Sequence, residues 1–179
     1  MVVIIPAFLS PKECDEIISW FPSVAPGEVD HGDGAEVSTV RKSRVAFLPS
    51  AFSTNTSDDD IVSHVYNTLL ETNRRHYHYD IAGCEPLQFA EYGVGGEYGE
   101  HLDIGPGTAS LRKLSASVQL SPPDSYDGGD LKIFGCAPAD RDQGSLIIFP
   151  SWSTHRVAPV TRGVRCSLVG WAFGLRPFR

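Results

Sequence analysis

The chain has no C-x-x-C pair, no excess of positive charge, no internal repeat and no membrane-length apolar run. Its four cysteines, Cys14, Cys84, Cys136 and Cys166, are widely spaced. That excludes a zinc ribbon or a dithiol redox motif and points to reduced thiols in the cytoplasm. Lys and Arg total 15 against 22 Asp and Glu, a net charge of −7, so a nucleic-acid partner is not expected. No segment approaches the ~20 apolar residues of a membrane helix, and the apolar start Met1–Leu9 is short, lacks a basic lead-in and is broken by Pro6. It reads as a buried strand rather than a signal peptide. Apolar content of 41% with 21% charged residues is that of an ordinary globular protein.

What is present divides into two textures. Ser10-Pro11-Lys12-Glu13 is a helix start, with Ser10 and Glu13 as a capping box and Pro11 at the first helical position. Cys14, Ile17, Ile18 and Phe21 follow at helical spacing. Residues 22–36, rich in Pro, Gly and acids, read as a loop, and 22–44 as a lid. A strand is expected within Val37–Leu48, carrying Arg41, Lys42 and Arg44. A second helix is expected from about Asp58 to Arg75, capped by Ser57, with Ile61, Val62, Val65, Leu69 and Leu70 buried. His76–Tyr79 alternates like a strand edge. From Leu87 onward come short strands: Leu87–Tyr92, Glu100–Ile104, Leu111–Leu120, Asp130–Phe134, Ser145–Phe149, His155–Val160 and Val164–Phe173. Turn signals separate them, among them Asp127-Gly128-Gly129 and Arg162-Gly163. This describes one domain over 1–179: a helical buttress about 10–75 against a mainly β core about 85–175, of jelly-roll, cupin-like form.

The chemistry is concentrated in His101-Leu102-Asp103, His155 and Arg165. Residues two apart on a strand share a face, ~6.6 Å apart along the chain, so His101 and Asp103 are expected to grip one ion. His155 completes a two-histidine, one-carboxylate set that leaves coordination positions open, the ligand sphere of a non-haem Fe(II) oxygenase. Arg165 adds a fixed positive charge on a strand too apolar to lie in water, and a buried guanidinium needs an anionic partner.

These residues sit among Leu87-Gln88-Phe89-Ala90-Glu91-Tyr92-Gly93, Tyr98-Gly99-Glu100-His101-Leu102-Asp103 and Arg112–Ser121. Tyr126-Asp127-Gly128-Gly129-Asp130-Leu131, Phe149-Pro150-Ser151, His155-Arg156-Val157 and Arg162–Leu168 follow. In that order the segments resemble the iron- and 2-oxoglutarate-dependent dioxygenases, in their prolyl/lysyl hydroxylase-like (PKHD-type) branch. The resemblance implies a double-stranded β-helix with flanking helices. It also implies Fe(II), 2-oxoglutarate and O2 as reactants, ascorbate as a possible helper, and hydroxylation of a C–H bond with release of succinate and CO2. A prolyl residue in a peptide or protein is the expected substrate, with free amino acids left open.

The resemblance gives the residues roles. His101, Asp103 and His155 hold the metal, and Arg165 pairs with the distal carboxylate of 2-oxoglutarate. Tyr92 donates to that carboxylate, and Leu131 packs on the methylenes. Gln119 stands where some prolyl hydroxylases carry a tyrosine that touches the keto acid. Ser167 shares the strand face of Arg165. Tyr98, Trp171 and Arg41 are candidates for substrate contact, each with a plain structural alternative. Two other readings stay open: a zinc- or manganese-dependent cupin-like hydrolase or isomerase, and a non-catalytic β-helix that binds a ligand in its cleft.

Overall fold

The computed structural model describes residues 1–21, 41–48, 60–137 and 139–178, so the expected loop 22–36, most of the expected lid and the Ser57 cap lie outside the described residues. In chain order the elements are β1 (Val3–Ile5), α1 (Pro11–Trp20), β2 (Arg41–Lys42), β3 (Arg44–Phe47), α2 (Ile61–Thr72), β4 (Gly83–Cys84), β5 (Gln88–Tyr92), β6 (Glu97–His101) and β7 (Arg112–Gln119). There follow β8 (Tyr126–Gly128), β9 (Leu131–Ile133), β10 (Leu146–Pro150), β11 (His155–Val157), β12 (Val160–Gly163) and β13 (Arg165–Phe173). No helix among the described residues is long and apolar enough to cross a membrane.

The larger sheet runs β1-β10-β7-β13-β5-β3, with β4 paired to β13. The smaller runs β2-β6-β11-β9, and β12 pairs with β8. The pairings are antiparallel. The period-two geometry of a strand gives the large sheet two different faces. Leu114, Ala116 and Val118 of β7, with Cys166, Leu168 and Ala172 of β13, pack outward with Ile17 of α1 and Ile61, Val65 and Leu69 of α2. On the inner side, Ala90, Tyr92, Ile147 and Phe149 pack with Leu131, Ile133 and Val157 of the smaller sheet. The result is a double-stranded β-helix with two helices buttressing one wall. Gly170 of β13 leaves room for Leu87, the residue before β5, since a Cβ there would meet Leu87 Cδ2 at 2.6 Å, with Val65 Cγ1 of α2 at 4.0 Å.

The first helix has the expected capping box: Glu13 N donates to Ser10 Oγ at 3.3 Å, and Ser10 N donates to the Glu13 carboxylate at 2.8 Å. The second begins at Ile61, with Asp60 as its cap, Val62 N donating to Asp60 Oδ1 at 3.1 Å.

Four local expectations are corrected. β1 is an edge strand, paired among the described residues with β10 alone, and is only partly buried. Residues 76–79 are not a strand edge. The second helix widens into a π-helical turn over Asn73–Tyr77, closed by His78 in the left-handed region (φ 58°). The Asn73 side chain then clasps Tyr79 through both its backbone groups (2.8 and 2.9 Å), which reverses the chain. Arg162-Gly163 is not a turn but the end of β12, where Arg162 pairs with Asp127 on β8 at 2.6 Å. Finally, Leu70 is only partly buried.

Candidate active site

β6 stops at His101, so Asp103 does not share a strand with it. The chain bends instead, and Asp103 N donates to the Ser151 carbonyl at 3.0 Å. That bend turns the carboxylate back toward the imidazole. His155 opens β11 directly opposite His101 in the antiparallel register, and the two rings lie 4.1 Å apart. Ligand atoms from all three side chains fall within 4.8 Å of one another.

Each histidine is oriented in the same way. Nδ1 of His101 meets the Gly99 carbonyl at 2.8 Å, and Nδ1 of His155 meets the Ser153 carbonyl at 2.9 Å. A carbonyl only accepts, so in each ring Nδ1 carries the proton and Nε2 keeps its lone pair. Both Nε2 atoms face Asp103, at 3.7 Å from Oδ1 and 3.5 Å from Oδ2. These distances are long for hydrogen bonds. They suit an ion between the groups, since ligand atoms ~2.1 Å from one metal lie about 3–4 Å apart.

Electrostatics favours the ligand forms of this set. Burial by itself would raise the Asp103 carboxyl, but the His101 contact, the proximity of His155 and a Ser115 hydrogen bond outweigh it and hold the group well below the ordinary carboxylate range. Burial pushes the His155 imidazole down, with Asp103 opposing. Ser115 Oγ donates to Asp103 Oδ2 at 2.5 Å and lies 3.0 Å from Ser151 Oγ. Both serines are fully buried. Two imidazoles and one carboxylate, each steered from behind, fit a divalent ion with open coordination positions.

The ligands open onto a cavity whose empty space, open mouth included, is about 450 Å³. Arg165 lines it and is only 1% exposed. NH2 donates to Gln119 Oε1 at 2.9 Å and NH1 to Ser167 Oγ at 3.3 Å, and the Tyr92 ring lies 5.4 Å from Cζ. No carboxylate among the described residues pairs with this guanidinium, and its Nε is buried without a partner. The indole Nε1 of Trp171, in the same cavity and 7% exposed, also lacks one. Two of the three buried unpartnered side-chain N–H groups among the described residues therefore belong to residues that line one cavity. That is the signature of a site built for an occupant rich in acceptors.

Of the residues singled out in the sequence, Tyr92, Tyr98, Leu131, Ser167, Trp171 and Arg41 also line this cavity. Gln119 does so only through its grip on Arg165. Tyr98 stacks on His101 at 3.5 Å between centroids. Sequence reasoning missed Ser115 and Ser151, and also Arg112. The Arg112 guanidinium donates twice to Glu85 (2.7 and 2.6 Å) and once to the Asp103 carbonyl (3.2 Å), and lies 4.0 Å over the Trp171 ring. One signal was available: Ser115, Ser117 and Gln119 place polar groups at period two inside an otherwise apolar strand.

The chain matches the model of the 2OG-Fe(II) oxygenase superfamily over residues 87–173. A protein of Teredinibacter turnerae named PKHD-type hydroxylase is 33% identical to it over 99% of this chain and 80% of the relative. Another of that name, from Hyphomonas neptunium, is 44% identical over 61% of this chain and 54% of its own length. The aligned region spans about half the length of several of the curated relatives. Among solved structures, a prolyl-4-hydroxylase of Pseudomonas putida superimposes with a TM-score of 0.71 at 21% identity, covering 97% of this chain and 92% of that one. A Trichoplax adhaerens prolyl hydroxylase, in complex with a peptide of the hypoxia inducible factor oxygen degradation domain, gives 0.74 at 20% identity over 96% and 83%. At such identities the two structures establish the fold alone.

Proposed function

The chain belongs to the 2OG-Fe(II) oxygenase superfamily, and on that premise we propose that it hydroxylates a C–H bond, most readily that of a prolyl residue in a peptide or protein. The observation that carries this reading is the pairing, in one cavity, of an open three-ligand cup with a buried guanidinium that has no acid partner among the described residues. A hydrolase cofactored by zinc or manganese would use the cup and leave Arg165 unexplained.

Iron bound at this site, with 2-oxoglutarate and O2, supplies a two-electron oxidation in which one oxygen atom enters the substrate C–H bond and the other enters succinate as CO2 leaves. The chain supplies geometry, charge and exclusion of water. His101 and His155 present Nε2 because their Nδ1 protons are held by carbonyls. Asp103 is fixed from behind by Ser115. Arg165, held by Gln119 and Ser167, takes the distal carboxylate of the cosubstrate. Leu131 and Val169 give the diacid an apolar wall, and Tyr92 offers it a hydroxyl. Trp171 and Tyr98 flank the space left for the substrate.

A peptide substrate is supported by the peptide carried by the Trichoplax neighbour, and hydroxylation by the name of the PKHD-type relatives. The reading takes residues 1–179 as one catalytic domain and assigns it to the cytoplasm, in keeping with its free thiols. The test is mass spectrometry of a proline-containing peptide library after incubation with protein, Fe(II), ascorbate and 2-oxoglutarate. A gain of one oxygen on proline, matched by succinate, is expected. Succinate formation with oxygen added only elsewhere would overturn the prolyl assignment.

A further inference from the structure

The three basic residues of β2 and β3 do not act alike. Lys42 pairs with Glu97 at 2.9 Å and Arg44 with Glu91 at 2.7 Å, both on exposed strand faces. Arg41 turns the other way, into the cavity that holds the metal ligands. Its Nε donates to Ser43 Oγ at 2.7 Å, its NH2 to Gln88 Oε1 at 3.0 Å, and its Cζ lies 4.9 Å from the centre of the Tyr98 ring. The far face of that ring meets the ligand residue His101, on which Tyr98 stacks. Two neutral acceptors and a ring hold the guanidinium in place but leave its charge unmatched. No acidic group among the described residues pairs with it, and NH1 has no protein acceptor there.

Charge decides what is missing. The cavity wall carries two guanidinium groups, Arg41 and Arg165, against the single carboxylate Asp103. With a divalent ion and dianionic 2-oxoglutarate in place, one positive charge of the described lining remains uncompensated. It remains in a half-buried site, where an unmatched charge is costly. Arg165 is the deeper of the two, fully buried and held by Gln119, whereas Arg41 sits on β2, the edge strand of the smaller sheet. The cosubstrate takes the deep guanidinium, so the edge one is left for the substrate.

The geometry points to Arg41 as the specificity residue of this site: it selects a substrate that carries a carboxylate close to the carbon that is oxidised. The inference rests on the hydroxylase reading above. The carboxylate belongs either to an acidic side chain next to the reacting residue or to a chain terminus, and both present the same planar anion to the guanidinium.

The experiment uses two matched pairs of probes. Acetyl-Pro-Asp-amide against acetyl-Pro-Asn-amide reports on a side-chain acid. Acetyl-Gly-Pro with a free terminus against its amide reports on a terminal one. Binding is measured by calorimetry on protein loaded with Mn(II) and 2-oxoglutarate, which needs no turnover. Hydroxylation is measured separately by mass spectrometry with Fe(II). In at least one pair the acid is expected to bind roughly tenfold or more tightly than its neutral partner, the scale of a charge-assisted hydrogen bond over a neutral one. Arg41→Gln should bring that ratio close to one, and Arg41→Lys should keep part of it, which separates charge from damage to the fold.

Equal affinity within both pairs, or no binding by any probe, overturns the inference. So does an Arg41→Gln protein that keeps the preference, or one that loses 2-oxoglutarate binding instead, which would assign Arg41 to the cosubstrate. If acids bind preferentially but no probe gains oxygen, the prolyl reading fails while Arg41 stands.

Discussion

Arg165 and Gln119 are joined by a 2.9 Å hydrogen bond at a point where a carboxylate partner would be expected. The guanidinium is fully buried yet, among the described residues, meets only neutral acceptors and one aromatic ring. Its charge is therefore uncompensated until an anion arrives, and two effects of opposite sign follow.

Arg165→Met should leave the ligand-free protein as stable as the parent or more so, because it removes an unmatched buried charge. The same change should weaken 2-oxoglutarate binding about 100-fold or more, given ~1.5–3 kcal/mol for each hydrogen bond to a charged group. Thermal unfolding with and without the diacid reads both. A variant that unfolds well below the parent but still gains stability from 2-oxoglutarate would contradict the assignment.

Ser115→Ala should lower the affinity for a divalent ion by roughly tenfold, the scale of a hydrogen bond to a charged group. It removes the 2.5 Å support of Asp103 Oδ2. The change is best followed by Mn(II) titration, a readout independent of turnover. Ser115→Thr keeps the hydroxyl and should recover most of the loss; if alanine and threonine behave alike, the hydroxyl has no such role.

Gly129→Ala should destabilise the protein by about 1–3 kcal/mol and weaken cosubstrate binding together, given a left-handed backbone and an overpacked core. Gly129 has φ +66°, and a Cβ there would lie 2.9 Å from Arg165 Cδ and 3.1 Å from Val160 Cγ2. The glycine thus keeps the space through which Arg165 reaches the cavity. Chemical denaturation combined with 2-oxoglutarate titration checks this, and a stable variant with parental affinity would show that the arginine has room to spare.

Much of this site could be read in the sequence, because it depends on period-two alternation and on ligand types. The strand from Arg165 to Phe173 alternates cleanly. Ser167, Val169 and Trp171 follow Arg165 into the cavity, and Cys166, Leu168 and Ala172 pack under the helices. The first helix start was legible because capping is local chemistry, whereas the second, expected from about Asp58, is described from Ile61 with Asp60 as its cap. What was missed depends on contacts far apart in sequence. Asp103 is placed by Ser151, forty-eight residues on, through a backbone bond that no pattern announces. Arg112 gains its role only when Glu85 and Trp171 are brought beside it. The His76–Tyr79 alternation misled for a similar reason. Asn73 closes that turn with its side chain, and a side-chain clasp leaves no periodic trace.

Alkaline pH should weaken the fold. Burial raises the Cys14 thiol from 9.0 to about 12 and those of Cys84 and Cys166 to about 11. Since the folded state holds these protons more tightly, the unfolded chain ionises first. Stability is then complete below about pH 9 and is lost progressively as the pH climbs toward 11–12. Melting temperatures between pH 8 and 10.5 should fall, and less steeply in Cys14→Ala. Exposed Cys136 should be the first thiol to react with a disulfide reagent in the native protein. A flat pH profile would show that these thiols do not sense the fold.

The central claim is that His101, Asp103 and His155 hold one ion while Arg165 receives the far end of 2-oxoglutarate. Anaerobic calorimetric titration of 2-oxoglutarate into Fe(II)-loaded protein tests it directly. One equivalent should bind to the parent, none detectably to Asp103→Ala, and far more weakly to Arg165→Met. Tight binding of the diacid without metal, or undiminished binding to either variant, would contradict it.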